Sequence, residues 1–184
     1  MKSLTNANFV ERRTGRVVRG FIRKATELDL LGWATWRYQI DDADRDWDWW
    51  AIYAKSKRAQ STIECYATIA GGELHGLTAV DIRRGKRGIL VDYLATNPTH
   101  RGATNRLKYV GTALIAVAIL RSCERGSEGR IWLESLPAAE TFYDGLGMRR
   151  QQGKSKDGNV VYAFDAETAQ QFLEELKQKR ILIL

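Results

Sequence analysis

One segment constrains the fold of this chain more than any other. Gly88-Ile89-Leu90-Val91-Asp92-Tyr93-Leu94-Ala95-Thr96 reads as a strand of β-branched and aromatic residues, and Asn97-Pro98 ends it because proline cannot continue a ladder. Arg101, Gly102, Arg106, Lys108 and Gly111 follow, and from about Asn105 the spacing of Leu107, Val110, Leu114, Val117 and Ala118 predicts a helix. A strand, a cationic loop with glycines and a helix start, in that order, leave several backbone N–H groups unpaired at the positive end of the helix dipole. Small residues let an anion approach that backbone, and nearby cations add charge-assisted contacts.

A second signature follows. Arg130-Ile131-Trp132-Leu133-Glu134-Ser135 predicts a short buried strand, and Pro137 suits the first turn of a helix. That helix is amphipathic through Ala139, Phe142, Tyr143 and Leu146, with Gly147 placed to end it in the left-handed conformation. Together the two signatures resemble the GNAT family of N-acetyltransferases. The family's phosphate motif, Gln/Arg-x-x-Gly-x-Gly/Ala, stands here as Lys108-Tyr109-Val110-Gly111-Thr112-Ala113, after a longer loop holding Ala103 to Leu107. Its helix motif, Ala-x-x-Phe/Leu-Tyr-x-x-Leu-Gly-Phe/Met, matches Ala139 to Met148, while Leu136 replaces the asparagine frequent seven positions before the tyrosine. The resemblance covers Gly71 to Met148, and the flanks only by topology.

The resemblance implies an α/β (α+β) fold: a mostly antiparallel twisted sheet of about six or seven strands, the fourth and fifth splayed, with about four or five flanking helices. It implies transfer of an acetyl group from acetyl-CoA directly to a primary amine of a small molecule or protein, without metal. Arg101, Gly102, Arg106, Lys108, Gly111, Thr112 and Ala113 would hold the phosphates. The backbone of Leu94, Ala95 and Thr96 would meet the thioester carbonyl and pantetheine amides. Tyr143 would protonate the departing thiolate, Asp92 would accept the amine's proton directly or through water, and Glu134 is the reserve base. A proton acceptor is required because an alkylammonium with a pKa of about 10.4 is almost wholly protonated at neutral pH. The plainer roles stay open: Asp92 as the partner of a neighbouring cation, and Tyr143 as a core aromatic.

Two other functions also stay open. One is a GNAT-type toxin acetylating aminoacyl-tRNA, the reading under which nucleic acid becomes a partner; the other is a non-catalytic module on the same fold. The net charge of +7 permits the first without requiring it. Six cations and one acid lie between Glu11 and Lys24, a cluster expected to be solvated surface. Five aspartates lie between Asp41 and Asp48 among tryptophans, in the Tyr38 to Trp50 region that the family uses for its acceptor. Helix-start aspartates and core tryptophans explain that stretch more simply than an ammonium site.

With 184 residues and a 44% hydrophobic share, the chain suits one ordered domain and excludes disorder. Residues 1–24 are expected to form a hairpin extension, 25–60 the acceptor-side helices, 62–148 the cofactor core and 159–184 a last strand and helix. Within these, helices are expected over Ala25 to Tyr38 and over Asp44 to Ala59, the latter with Trp47, Trp50, Ala51 and Ala54 on one side. A hairpin turns at Gly71-Gly72, and Asp165 caps the last helix. The start lacks an apolar signal-like core and no run is long enough for a membrane span, so a cytoplasmic protein is expected; homodimerisation is open. Cys65 and Cys123 suit reduced, buried or half-buried thiols, and His75 and His100 show no metal-ligand spacing.

Overall fold

The computed structural model describes residues 4–37, 46–83, 85, 88–100 and 106–183. Over these the chain runs β1 (Leu4–Glu11), β2 (Val17–Lys24), α1 (Glu27–Arg37), α2 (Trp49–Ser56), β3 (Ile63–Ala70), β4 (Glu73–Asp81), β5 (Ile89–Thr96), β6 (Leu107–Lys108) and α3 (Val110–Glu124). It continues through β7 (Ile131–Ser135), α4 (Glu140–Gly145), β8 (Arg149–Lys154), β9 (Val160–Phe164), α5 (Ala166–Gln178) and β10 (Leu182–Ile183). All strands join one sheet in the order β10-β1-β2-β3-β4-β5-β7-β9-β8, with β6 added on β1. Neighbours are antiparallel except β5 and β7, which are parallel. Among the described residues, no helix is long and apolar enough to cross a membrane.

The sheet is wider than six or seven strands. The additional strands leave little trace in sequence: β6 and β10 have two residues each, and β8, Arg-Arg-Gln-Gln-Gly-Lys, is exposed throughout on the sheet edge. An edge strand with no buried face shows no apolar alternation.

Both faces of the sheet are covered. On one, Tyr66, Val80, Ile89 and Ile131 pack under α3 and α5; on the other, Cys65, Ala67, Leu77 and Ala79 pack under the tryptophans of α1 and α2. The period-2 alternation of strands assigns neighbouring residues to opposite faces. α3 is buried on all sides from Val110 to Ile119, which makes it the central helix rather than an amphipathic surface one. It seats closely because Gly76 of β4 carries no side chain: a Cβ there would lie 2.9 Å from both Val110 and Leu114.

Several expected boundaries shift for physical reasons. α1 starts after Thr26, whose N–H donates to Asp29 Oδ2 at 2.7 Å, while Arg23 grips both Asp29 oxygens at 2.6 and 2.9 Å. α2 is shorter than Asp44 to Ala59. Asp48 caps it by accepting the Ala51 N–H at 3.0 Å, and the buried side is Trp49, Ile52 and Tyr53, leaving Trp50 41% exposed. α3 begins at Val110 rather than near Asn105, because Leu107 and Lys108 are drawn into ladder pairing with Glu11 and Val10. Cys123 is exposed, whereas Cys65 is buried. Tyr38, the aspartates at 41, 42 and 44, and the loop residues Arg101 and Gly102 lie outside the described residues.

Two features of β5 shape everything near it. The first is a bulge: Ala79 faces Tyr93 while Val80 faces Val91, so Asp92 has no partner. Val91 accordingly points to the α3 face and Tyr93, two residues on, to the opposite face. The second is that β5 pairs with β7 only at Ile89↔Ile131 and Leu90↔Trp132, after which the strands separate. That pairing starts at Gly88, which has φ 84° and whose added Cβ would sit 2.0 Å from the Arg130 carbonyl oxygen. Gly88→Ala is therefore expected to destabilise the protein by about 3 kcal/mol, from strain plus displacement of the Arg130 carbonyl. Urea unfolding checks this, and a parental midpoint would show that the close approach is dispensable.

Candidate active site

Where β5 and β7 part, a cavity of about 1150 Å³ opens between them, bounded by the start of α3 on one side and by α4 on another. In an antiparallel ladder, alternate residues turn their backbone groups to the same side. The Asn97 N–H bonds the His75 carbonyl of β4 at 2.9 Å, so Leu94 belongs to the other set and presents its N–H towards the gap. β9 holds β7 along Ile131–Ser135 and β4 holds β5, so each strand keeps one full partner despite the gap.

The start of α3 forms one end of the cavity. Its first intrahelical bond runs from the Ala113 N–H to the Tyr109 carbonyl at 2.9 Å, and no side chain caps the helix. The N–H groups of Val110, Gly111 and Thr112 thus lack intrahelical acceptors at the positive end of a 15-residue helix. Tyr109, in the left-handed region at φ 75°, turns the chain from β6 into this helix. Lys108 and Arg12 are the lysine and arginine lining the cavity among the described residues. Arg12 arrives there because β1 pairs with β6 and because its own N–H bonds the Arg106 carbonyl at 3.1 Å. Backbone donors and two cations at one end fit a polyphosphate in both charge and hydrogen bonding. Gly111 serves packing as well: an added Cβ would lie 3.0 Å from the Phe142 ring.

Asp92, Glu134 and Tyr143 line the same cavity, together with Leu94, Thr96, Lys108, Gly111 and Thr112. Ala95 is instead buried on the α1–α2 face, Ala113 is enclosed in the core within the first turn of α3, and Arg106 stands off the cavity 3.5 Å from Glu73. The Tyr143 ring packs against Phe142 and Tyr162, with centroids 5.1 and 5.5 Å away. Burial pushes its hydroxyl up to about 12, so it keeps its proton at neutral pH, and no described residue hydrogen-bonds it. Asp92 reaches solvent inside the cleft but is enclosed on its other sides. That burial raises its carboxyl above the ordinary range, and the charges of Asp81 and Glu134 add to the shift while Lys55 opposes it.

Arg12 is a cavity residue that the sequence does not single out, and Trp47, from the Tyr38 to Trp50 stretch that the resemblance gives to the acceptor, lines the cavity as well. Arg12 belongs to the cluster expected to be solvated surface, and only the long-range pairing of β1 with β6 brings it here. Trp47 meets the Tyr93 ring edge-on at 5.3 Å, beside the bulge.

The raised carboxyl of Asp92 carries a stability consequence with a definite sign. Its folded pKa lies above the ordinary 3.8, so the native state binds the proton more tightly than the unfolded chain. Stability contributed by this group therefore falls as pH rises from 3.8 through the folded value. Asp92→Asn should raise the melting temperature at pH 7, and the gain should vanish once the pH is below 3.8. An equal gain at both pH values would assign the effect to packing instead of charge.

No protein-family sequence model matches this chain, and no curated protein matches it in sequence. Solved structures match it in fold. The GNAT domain of S. lividans PAT is 20% identical, with 87% of this chain and 96% of that one covered at a TM-score of 0.63. The PaiA N-acetyltransferase of Thermoplasma acidophilum, solved in complex with coenzyme A, is 16% identical over 78% and 97% at 0.55. The ribosomal-protein-S18-alanine N-acetyltransferase of Escherichia coli is 17% identical over 79% and 92% at 0.54. With its splayed parallel pair, flanking helices and mostly antiparallel sheet, this chain has the GNAT acetyltransferase fold.

Proposed function

We propose that the protein is an acetyl-CoA-dependent N-acetyltransferase that acetylates a primary amine of a small molecule or protein. The observation that carries the reading is one cavity bringing together an uncapped helix start, a buried protonated phenol and a carboxylate of raised pKa. The matched fold, which includes a protein solved with coenzyme A, supports it. Acetyl-CoA, when bound, supplies the activated acetyl group. Lys108, Arg12 and the N–H groups of Val110, Gly111 and Thr112 would hold its phosphates.

The chain's own residues then do three things. The Leu94 N–H, turned into the gap, offers a fixed main-chain donor to a carbonyl oxygen that gains negative charge. Asp92 accepts a proton from the substrate ammonium, which frees the amine lone pair to attack the thioester carbonyl. Its raised pKa brings it closer to neutrality, which improves a general base, and its short side chain on a bulge favours relay through water. Glu134, on the facing strand, is the second acceptor. Tyr143 holds a proton at its hydroxyl for the departing sulfur, and burial keeps that proton in place until it is needed.

Tyr143→Phe removes only the hydroxyl and leaves the ring against Phe142 and Tyr162. Single-turnover acetyl transfer to the amine should fall on the order of 100-fold, because general acid help acts mainly in the transition state. Coenzyme A affinity measured by titration should stay within about twofold, since the lost group acts on the reaction more than on binding. Equal transfer rates in a folded variant would return Tyr143 to the role of a core aromatic.

A further inference from the structure

We propose that His75 and His100 are positioning residues for the phosphate end of this cavity: a buried imidazole pair that fixes the chain leading into α3. The inference rests on the acetyl-transfer reading for its ligand, and on described atoms for its geometry. His75 lies in β4 at 3% exposure, and His100 ends the short 3₁₀ turn Pro98–His100 after β5 at 6%. His75 Nδ1 stands 2.8 Å from His100 Nε2, and His75 Nε2 stands 3.0 Å from the Ala70 carbonyl oxygen. The Leu107 N–H donates to His100 Nδ1 at 3.2 Å.

The two ends of this chain of bonds assign its protons. A backbone N–H can only donate, so His100 Nδ1 is an acceptor and its proton sits on Nε2. That proton is donated to His75 Nδ1, which leaves the His75 proton on Nε2, facing a carbonyl that can only accept. Both rings are neutral, and every ring nitrogen is used. A further proton on either ring would set two donors against each other, at Leu107 or between the imidazoles. Burial is the main reason both rings resist protonation. Arg106 adds to it for both, Glu73 opposes it at His75, and His100 is lowered to about 4.

The placement explains what the pair does. One end is anchored at the Gly71-Gly72 hairpin; the other holds Leu107, three residues before α3 begins. The Arg106 N–H bonds the Thr99 carbonyl at 2.8 Å, and β1 pairs with β6 from the other side. The strand carrying Lys108 is thus gripped from both sides immediately before the uncapped amides of Val110, Gly111 and Thr112. Packing alone would be met by two apolar side chains. A buried polar pair costs desolvation and is offset only when its bonds are all made, which ties its stability to one backbone alignment. Because folding lowers these pKa values, the pair's contribution is complete above the ordinary imidazole value of 6.5 and is lost as pH falls towards about 4.

The test compares the parent with His100→Leu, which removes both bonds, and His100→Asn, which restores an acceptor for the Leu107 N–H. Amide chemical shifts and hydrogen exchange at Lys108 to Thr112, read without ligand, should change in the leucine variant and return towards parental in the asparagine variant. Coenzyme A affinity should fall about tenfold with leucine, comparable to one lost hydrogen bond to a positioned group, and recover with asparagine. Turnover at saturating acetyl-CoA should stay within about twofold, a KM effect rather than a kcat effect. Nitrogen-15 spectra of the parent should show both rings as neutral Nε2–H tautomers. Parental coenzyme A affinity and unchanged amides in His100→Leu would overturn the proposal. A parent that binds no coenzyme A would instead overturn the acetyl-transfer reading, and the ligand-free amide measurements would still decide the pair's role. Should His100→Leu fail to fold, His75→Leu, which removes the bonds to His100 and to the Ala70 carbonyl and leaves the Leu107 contact possible, tests the pair, and unchanged Lys108 to Thr112 amides with parental coenzyme A affinity would overturn the proposal.

Discussion

Two residue pairs, Ile89↔Ile131 and Leu90↔Trp132, are all the contact β5 and β7 make as paired strands, and the candidate site exists because they make no more. A parallel pair of full length would satisfy its backbone groups and close the cavity. The separation persists because each strand is committed elsewhere: β5 to β4 through Thr96, and β7 to β9 through Ser135. Gly88 brings the strands together at one point, the bulge at Asp92 twists β5 immediately afterwards, and α3 fills the widening space from beneath. The proposed functional groups come from both strands and both neighbouring helices because all four border the same defect in the ladder.

Such a defect costs stability. Backbone donors face a cavity, a helix begins uncapped, and a carboxylate is held where it ionises reluctantly. The offsetting interactions lie away from the gap. Arg121 of α3 reaches both oxygens of Glu64 at 2.6 and 2.7 Å, and Tyr66 donates to the same carboxylate at 2.5 Å. This half-buried network ties the far end of the central helix to β3. Burial alone would push Glu64 upward, yet its partners hold the carboxyl below its ordinary range, in contrast to Asp92. The two carboxylates differ in what surrounds them: one is hydrogen-bonded by a guanidinium and a phenol, while at the other burial and the charges of Asp81 and Glu134 outweigh those of Lys55 and Arg83.

The sequence made visible whatever is local. Gly71-Gly72 adopts positive φ in the expected hairpin, Asp165 caps α5 through the Thr168 N–H at 2.9 Å, and Tyr143 lies on a helix ended by a left-handed Gly147. Hidden features were those decided by distant partners. Leu107 satisfies a helical spacing as well as a strand, and only β1, nearly a hundred positions away, decides between them. Around the start of α2 the tryptophans at 47, 49 and 50 admit more than one helical register, and in the one capped by Asp48, Trp49 is on the buried side. Arg12 is indistinguishable in sequence from its solvated neighbours, and the two histidines, 25 positions apart, give no sign of a shared hydrogen bond.

The end of the cavity proposed to hold phosphate is therefore less local than its motif. Lys108 to Ala113 form a continuous run, but their placement depends on β1 on one side and on His100, through Leu107, on the other. Under the proposed reading, this placement lets lysine serve where the motif it resembles has glutamine or arginine. A lysine cannot grip two phosphate oxygens in a fixed plane, so orientation must come from elsewhere. Here the backbone amides of α3 supply direction, Arg12 supplies a second cation from a separate strand, and the strand between them is pinned by bonds that involve no ligand. The proposed phosphate recognition would thus be distributed over three segments of the fold, with rigidity of the backbone taking the place of bidentate geometry.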